Sequence, residues 1–569
     1  MRSRVNISCC NQDNHRLLIP SRALSFGRQK KLPFRQSREI ILNMNLPGSE
    51  VSRAPGAAME YDVVVIGGAL SGAATAILLL RQNPGIRVLI VEKAERLGRR
   101  VGEATVEVSG YFLGRVLGLT QYLNEAHLVK QGLRFYFANE AVESLAESSE
   151  LGGRYQVRLP SYQIDRATFD EEVLRRACAA GASLMRPAGV AKVELSPGGE
   201  QTVTLSRGET TETIRARWVV DASGVAALLA RKNGWWRPNV EHPTAACWSR
   251  WKGVKDWDGR ELAQKFPEWA SAVYGTRGTA TNHIIGDGWW SWWIPLKGGD
   301  VSVGVVFDQR LVEWPQDQGK LGERLKSFLI QHPAAREMLE NASFDETDVH
   351  WRKNLAYYST TFAGDGFVLV GDAAAFMDPF YSPGMDWISF TTGSAADLIT
   401  AQRAGEPMAE RVENYNRDFA RSHRCWFEAL YKDKYEYMGE FDLMSLAFLL
   451  DLGLYYFGVV SQPFKYGAKA FTNPPFSRPV SRPFHLLMRF YNRRFVRIAR
   501  QRRATGALGR TNRGRRCLIP GFTLSRGDFG QVLKGFARWG WLELTEGWRS
   551  WGGDGEETLA EPKAAESST

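Results

Sequence analysis

Cysteine is scarce in this chain. Six occur in 569 residues, at Cys9, Cys10, Cys178, Cys247, Cys425 and Cys517. None forms a CxxC pair and none has zinc spacing, so the pattern excludes a disulfide-stapled scaffold and a zinc module, and no metal is expected. Free thiols in a reducing, cytoplasmic setting are the expectation. No signal-peptide pattern opens the chain. A long uncharged apolar run is also missing. The longest, LMSLAFLLDLGLYYFGVV from Leu443 to Val460, carries Asp451 at its centre. A charge there is costly in lipid, so the run reads as a buried core helix.

Positive charge is scarce where a nucleic-acid-binding body would need it. The chain has a net charge of +11. Residues 1–58 hold ten Lys/Arg against three acids, and residues 489–516 hold eleven Arg and no acid, so the rest of the chain is net negative. No nucleic-acid partner is expected. Residues 1–58 read as a disordered basic tail or an upstream extension, with Met44 and Met59 as alternative starts. Residues 551–569 read as a second disordered tail.

What is present begins with YDVVVIGGALSGAATAILLLRQNPGIRVLIVEKAERLG, Tyr61 to Gly98. A β-branched run, a Gly-rich turn, an Ala-rich helix and a second β-branched run make a βαβ unit with strands buried on both faces. A turn without Cβ atoms lets backbone N–H groups approach a pyrophosphate, and the helix N-terminus adds a partial positive charge. Gly67, Gly68, Ala69, Ser71 and Gly72 make this turn, with Ala69 where a glycine usually stands. Glu92, ending the second strand, is placed to accept hydrogen bonds from ribose hydroxyls.

Three later stretches join it: SYQIDRATFDEEVLRRACAAGASLM, ARWVVDASGVAALLARKNG and GDGFVLVGDAAAFMDPFYSPGMD. In order and spacing the four resemble the FAD-dependent monooxygenase superfamily. The resemblance implies FAD as cofactor, with Asp221 near the adenine half, Gly371 and Asp372 at the ribityl chain, and an Ala-rich helix after Asp372 pointing at the flavin. No second GxGxxG follows a strand, so the electron source is expected to be a partner flavin reductase or NAD(P)H docking transiently.

The chain holds 19 tryptophans, and GWWSWWIPLKGG, Gly288 to Gly299, has four of them within five positions. With VSVGVV after a Gly-Gly turn, it reads as a strand of an antiparallel hairpin. Strand alternation would put Trp290 and Trp292 on one face and Trp289 and Trp293 on the other. One face would line a pocket and the other would pack on core. WSWWIP also matches the WxWxIP signature of flavin-dependent halogenases, which the chain resembles over most of residues 61–430. GRRVGEAT, with Arg100, resembles that family's loop near the flavin. FMDPFYSPGMD, with Pro379, Tyr381 and Gly384, resembles its halide and flavin segment.

In that family a lysine downstream of the GEAT loop relays hypohalous acid. No Lys lies between Arg100 and Val129, which leaves Lys130 as the candidate. Its other reading is a helix end capped by Gly132. The halide segment departs from the family. Pro383 has no N–H to give, and Tyr381 stands where a carboxylate is often found. His283, just before the tryptophans, is a candidate base or orienter, and Asp386 is an acid near the flavin or a helix cap.

The expected fold is α/β. A discontinuous Rossmann-type FAD-binding domain covers 59–425, a substrate sheet is inserted at about 236–350, and a helical region spans 426–550. Trp290, Trp292 and Tyr381 are the candidate substrate wall. Dense aromatics suggest a large apolar substrate, free or carrier-bound. Residues 484–503 have apolar positions at helical spacing and an Arg-rich opposite face, a candidate peripheral membrane contact. The resemblance points to monooxygenation or oxidation in secondary metabolism. Halogenation, isoprenoid-lipid reduction and flavin binding without turnover are the alternatives.

Overall fold

A computed structural model describes residues 59–316 and 319–551. The two expected tails lie outside the described residues, apart from Trp551. Five parallel strands form the first sheet, in the order Phe367–Leu369, Thr210–Asp221, Met59–Ile66, Val88–Val91 and Ser183–Met185. Three antiparallel strands extend it. The central parallel strands are Val- and Ile-rich because both faces are covered, by helices such as Leu70–Gln82 and Arg166–Ala179.

Register fixes where ligands can sit. Ile66 pairs with Val91 and Asp221, and Asp221 pairs with Leu369. The strands therefore end together, and Gly67, Glu92, Ala222 and the Val370–Asp372 turn gather at one carboxyl edge. Ligands of open parallel sheets bind at that edge.

The second sheet has nine strands. Its middle runs Thr244–Lys252, Val301–Asp308, Trp289–Pro295, Thr281–Gly286, Leu133–Phe137 and Ser149–Gly153. It is wider than the expected insertion. Leu133–Phe137 and Ser149–Gly153 come from before that insertion, and Arg516–Ile519 joins from the far end of the chain. The expected boundary at 425/426 falls inside the helix Met408–Leu430. Local pattern cannot reveal strands that pair across hundreds of residues.

The tryptophan stretch is a strand, and its faces alternate as period 2 requires. Trp290 and Trp292 pack into the core shared with the nucleotide-binding sheet. Trp293 and Trp289 pack into a second core behind the sheet. Phe441–Tyr455 is a helix, with Asp451 buried among Lys434, Tyr381 and Tyr491. Among the described residues one stretch, Phe441–Thr472, is long and apolar enough to cross a membrane, and it is mostly buried.

Two local expectations are corrected. No helix follows Asp372 directly. Gly371 adopts φ +59°, the chain makes one tight turn and a short strand, and the helix starts at Gly384. Lys130 is not a helix end. The helix Thr120–Ala126 stops before it, and Lys130 closes a short strand, Leu128–Lys130, paired with Ser161–Gln163.

Candidate active site

The cofactor cradle is built from close backbone approaches. A Cβ on Gly72 would lie 1.9 Å from the carbonyl oxygen of Gly67, and one on Gly67 would lie 2.5 Å from that of Ala222. Gly67 also sits at φ +104°, where side chains are strained. Ala69 needs no such freedom, because its backbone is extended at the start of the helix Leu70–Gln82. Glu92 Oε2 accepts the Gly68 N–H at 2.8 Å, which fixes the turn against the second strand. A Cβ on Gly371 would lie 2.5 Å from Ser71 Oγ, so the third motif touches the first helix. No described residue donates a hydrogen bond to the Asp372 carboxylate, and burial holds it above the usual carboxylate range. An acceptor left open beside an N–H-rich turn suits a hydroxyl-bearing, phosphate-bearing group such as FAD.

Other expected cofactor residues divide. Asp221 spends both oxygens on backbone, accepting Ser223 N–H at 3.0 Å and Leu229 N–H at 2.7 Å, and so works as a buried cap. Arg100 is partly exposed, 3.6 Å from Asp170. Arg166, from the QIDR stretch, is buried and bridges Asp170 to the carbonyls of Val101 and Gly102. Pro379 accepts the Ser382 N–H at 3.0 Å in the turn before the helix. A Cβ on Gly384 would meet nothing within 4 Å, so space is open there.

Lys130 is buried. Its Nζ donates to the Thr105 carbonyl at 2.8 Å, and burial pushes it down to about 8 against the pull of Glu107 and Asp386. Thr105 is stitched to Tyr162 by backbone and side-chain hydrogen bonds, which join the GEAT loop to the lysine strand and the QIDR element. Glu103 of that loop is tied to Arg250 of the second sheet at 2.9 Å. Asp386, in the first turn of its helix, accepts Ser109 N–H at 2.9 Å and Tyr455 OH at 2.8 Å. Burial raises it to about 7.

His283 is buried and held neutral at pH 7. Burial pushes it down to about 3, and its Nδ1 lies 3.1 Å from the Ser291 carbonyl. That contact assigns the N–H to Nδ1 and leaves a buried, unpartnered lone pair at Nε2. His283 stacks on Phe135 at 5.1 Å and meets Trp290 edge-on at 5.3 Å. Phe380 packs on Trp290, and Phe380, Tyr381 and Phe448 complete an aromatic box. Trp292 lies beside Trp290, with its indole N–H on Ser302. Tyr381 has φ +66° and donates its hydroxyl to Asp451.

Reading by motif missed a buried chain. The Trp290 indole N–H donates to Tyr435 OH at 2.7 Å, and Tyr435 donates to Asp378 Oδ2 at 2.9 Å. His242 Nε2 lies 2.7 Å from the same oxygen. Asp378 was visible in the MDP motif, but His242 and Tyr435 carry no local signal. Elsewhere Glu261, Glu337 and Glu340 converge, and the ammonium of Lys255 sits among them.

The family profile described as FAD dependent oxidoreductase matches residues 62–273. The chain is similar to the flavin-dependent halogenase chlA of Dictyostelium discoideum, 27% identical over 70% of each chain. It is similar to the tryptophan 2-halogenase of Chondromyces crocatus, 29% identical over 64% of this chain and 66% of that one. The matches thus span about two thirds of these relatives' length. Among solved structures, halogenase PltM in complex with phloroglucinol and FAD superposes with a TM-score of 0.64, at 18% identity over 84% of this chain and 96% of that one. Cradle, edge and relatives together define an FAD-dependent oxidoreductase with a Rossmann-type fold. Within that class the chain is similar to flavin-dependent halogenases.

Proposed function

We propose that the chain is a monooxygenase of halogenase-like architecture, acting on a large apolar or aromatic small molecule, free or carrier-bound. The segment Tyr381–Pro383 carries this reading. Halide capture by backbone needs consecutive N–H donors, and Pro383 has none. The usual carboxylate is replaced by the Tyr381 phenol, which is held by Asp451. FAD, when bound and reduced, supplies electrons to O2. The protein's own part is to position and to exclude water. Trp290, Trp292, His283 and Phe380 shape an apolar wall, and the His283 Nε2 lone pair accepts a donor on the substrate. Lys130 holds a proton at Nζ that it can present to or withdraw from the reacting edge. Electrons come from a separate flavin reductase or from NAD(P)H docking at the FAD domain, in a cytoplasmic setting.

Halogenation is the second reading, favoured by the buried amine of Lys130 and by relatives that are themselves named halogenases. The test supplies the full chain with FAD, a flavin reductase, NADH and O2, with and without bromide, and a hypohalite-reactive dye. Under the first reading, oxygen uptake is indifferent to bromide and the dye stays unhalogenated. Bromide-dependent dye halogenation would move the assignment to the second.

A further inference from the structure

The Arg-rich helix expected to face a membrane turns much of its charge inward. Within Arg482–Ala504, Arg494 pairs with Glu543, and Arg502 is held by Glu440, Asp442 and Glu546. The apolar surface lies on its neighbour. The helix Arg526–Thr545 packs Val532 and Gly535 against Phe441–Tyr455, and a Cβ on Gly535 would come within 2.9 Å of Leu450. Its outward side is apolar too. Phe529 is 58% exposed, Leu533 53%, Trp541 69% and Leu544 76%, and the exposed Trp548 and Trp551 follow. Helical spacing puts Phe529, Leu533 and Leu544 on one face, with Trp541 at its border. Neighbouring elements extend this surface. Exposed Phe490 meets Trp539 at 5.7 Å, and Phe457 meets Phe529 at 6.3 Å.

The charge around it has one sign. Between Leu452 and Gly527 the chain holds sixteen Lys/Arg and no Asp or Glu. Although Arg489, Arg494, Arg500, Arg502, Arg503, Arg510 and Arg513 pair with acids from other segments, no acid of this stretch offsets the others. The three acids in 526–551 are engaged. Asp528 is buried and accepts from Thr523 and Ser525, Glu543 accepts from Arg494, and Glu546 accepts from Arg502. Exposed Lys465, Lys469, Arg526, Lys534, Arg538 and Arg549 remain outward.

We propose that this face is a peripheral docking surface for an anionic lipid bilayer. Phe529, Leu533 and Leu544 enter the acyl boundary, the tryptophans sit at the headgroup level, and the cations meet lipid phosphates. Charge argues for lipid over a second copy. Among the described residues, two copies meeting through this face would bring two cationic borders together with no free acid between them.

The test is co-sedimentation of the full FAD-loaded chain with phosphatidylcholine vesicles and with vesicles holding roughly 30% phosphatidylglycerol. Binding to the anionic vesicles is expected to be at least tenfold stronger and to weaken as salt rises. The exposed triple variant Leu533→Glu, Trp541→Glu, Leu544→Glu should lose vesicle binding while keeping FAD content and thermal midpoint. Failure to bind anionic vesicles at low salt overturns the proposal, as does undiminished binding by the triple variant. Analytical ultracentrifugation supplies the other arm. A dimer that the same variant dissociates would assign the face to self-association.

Discussion

Lys130 and Asp386 are anchored to the same five-residue segment. The Lys130 amine donates to the carbonyl of Thr105, and the Ser109 N–H donates to the Asp386 carboxyl, at 2.8 and 2.9 Å. Their sequence separation is bridged by the exit of the GEAT loop, which ties the amine to the first turn of the helix Gly384–Arg403. Replacing Lys130 by Met should lower turnover by about a hundredfold or more while leaving FAD absorbance intact. Lys130→Arg should not restore it, because guanidinium neither loses a proton near neutrality nor fits an ammonium's space. Steady-state kinetics on FAD-loaded variants decide this, and wild-type rates in Lys130→Met would remove the amine from the reaction.

The pair also sets a pH signature. Lys130 is pushed down to about 8, so its neutral fraction grows as pH rises through that value. If the neutral amine is the working form, rate climbs with a midpoint near 8, and Lys130→Met lacks that limb. Stability follows Asp386 differently. Its carboxyl is raised from 3.8 to about 7. Between those values the folded chain keeps a proton that the unfolded chain has released. Stability therefore falls as pH rises from about 4 to about 7, by at most roughly 4 kcal/mol. Asp386→Asn should flatten this part of the thermal-midpoint profile. An unchanged profile would mean Asp386 titrates normally.

Much of this was legible in the chain. The βαβ unit could be read because each part is contiguous and each residue type answers a local demand, such as Gly67 at positive φ. The faces of the tryptophan strand could be read because a strand's period is two. What escaped depends on long-range partners. Asp386 meets Tyr455 and Asp378 meets His242 across gaps that leave no trace in local pattern. The helix Arg482–Ala504 looked like a charged surface because its acids stand at Glu440, Asp442, Glu543 and Glu546. The start of the helix Gly384–Arg403 was misplaced because GDAAAF has helix-favouring alanines, while Gly371 turns the backbone away.

The two faces of the tryptophan strand should separate stability from catalysis. Trp293 is fully buried in the rear core, edge-on to Trp257, and its truncation to Ala should cost about 3–5 kcal/mol. Trp290→Phe keeps most of the packing but deletes the N–H that reaches Tyr435 and, through it, Asp378. Its thermal midpoint should move little while substrate turnover drops. Tyr435→Phe should reproduce that drop, and a double variant should lose no more than either single one. Additive losses would show that the chain does not act as a unit.

Gly72 tests the cradle. A methyl there would stand 1.9 Å from the Gly67 carbonyl and 2.9 Å from Val65. Both neighbours belong to the strand and turn of the candidate cradle, so neither can retreat without moving the edge. Gly72→Ala should purify with less than about a tenth of the wild-type FAD, or fail to fold. Gly540→Ala is the control, because it lies outside the cradle, on the helix Arg526–Thr545, and a Cβ there meets nothing within 4 Å, so FAD content should be close to wild type. Equal FAD in Gly72→Ala would refute the close approach.

Pro383 offers the most direct separation of the two chemistries. Its φ of −74° is one that serine adopts without strain, and it stands at the N-cap of the helix Gly384–Arg403, a position serine favours. Pro383→Ser therefore restores a backbone N–H with little change in thermal midpoint. If the missing donor is what keeps halide out, the variant should gain bromide-dependent dye halogenation by tenfold or more over wild type, and Lys130→Met in the same background should abolish transfer to substrate. If Pro383→Ser still ignores bromide, the missing N–H is not the obstacle. The obstacle then lies at Tyr381, whose phenol is held by Asp451 beside the ammonium of Lys434. Adding Tyr381→Glu to the Pro383→Ser background would test that by returning the carboxylate along with the N–H.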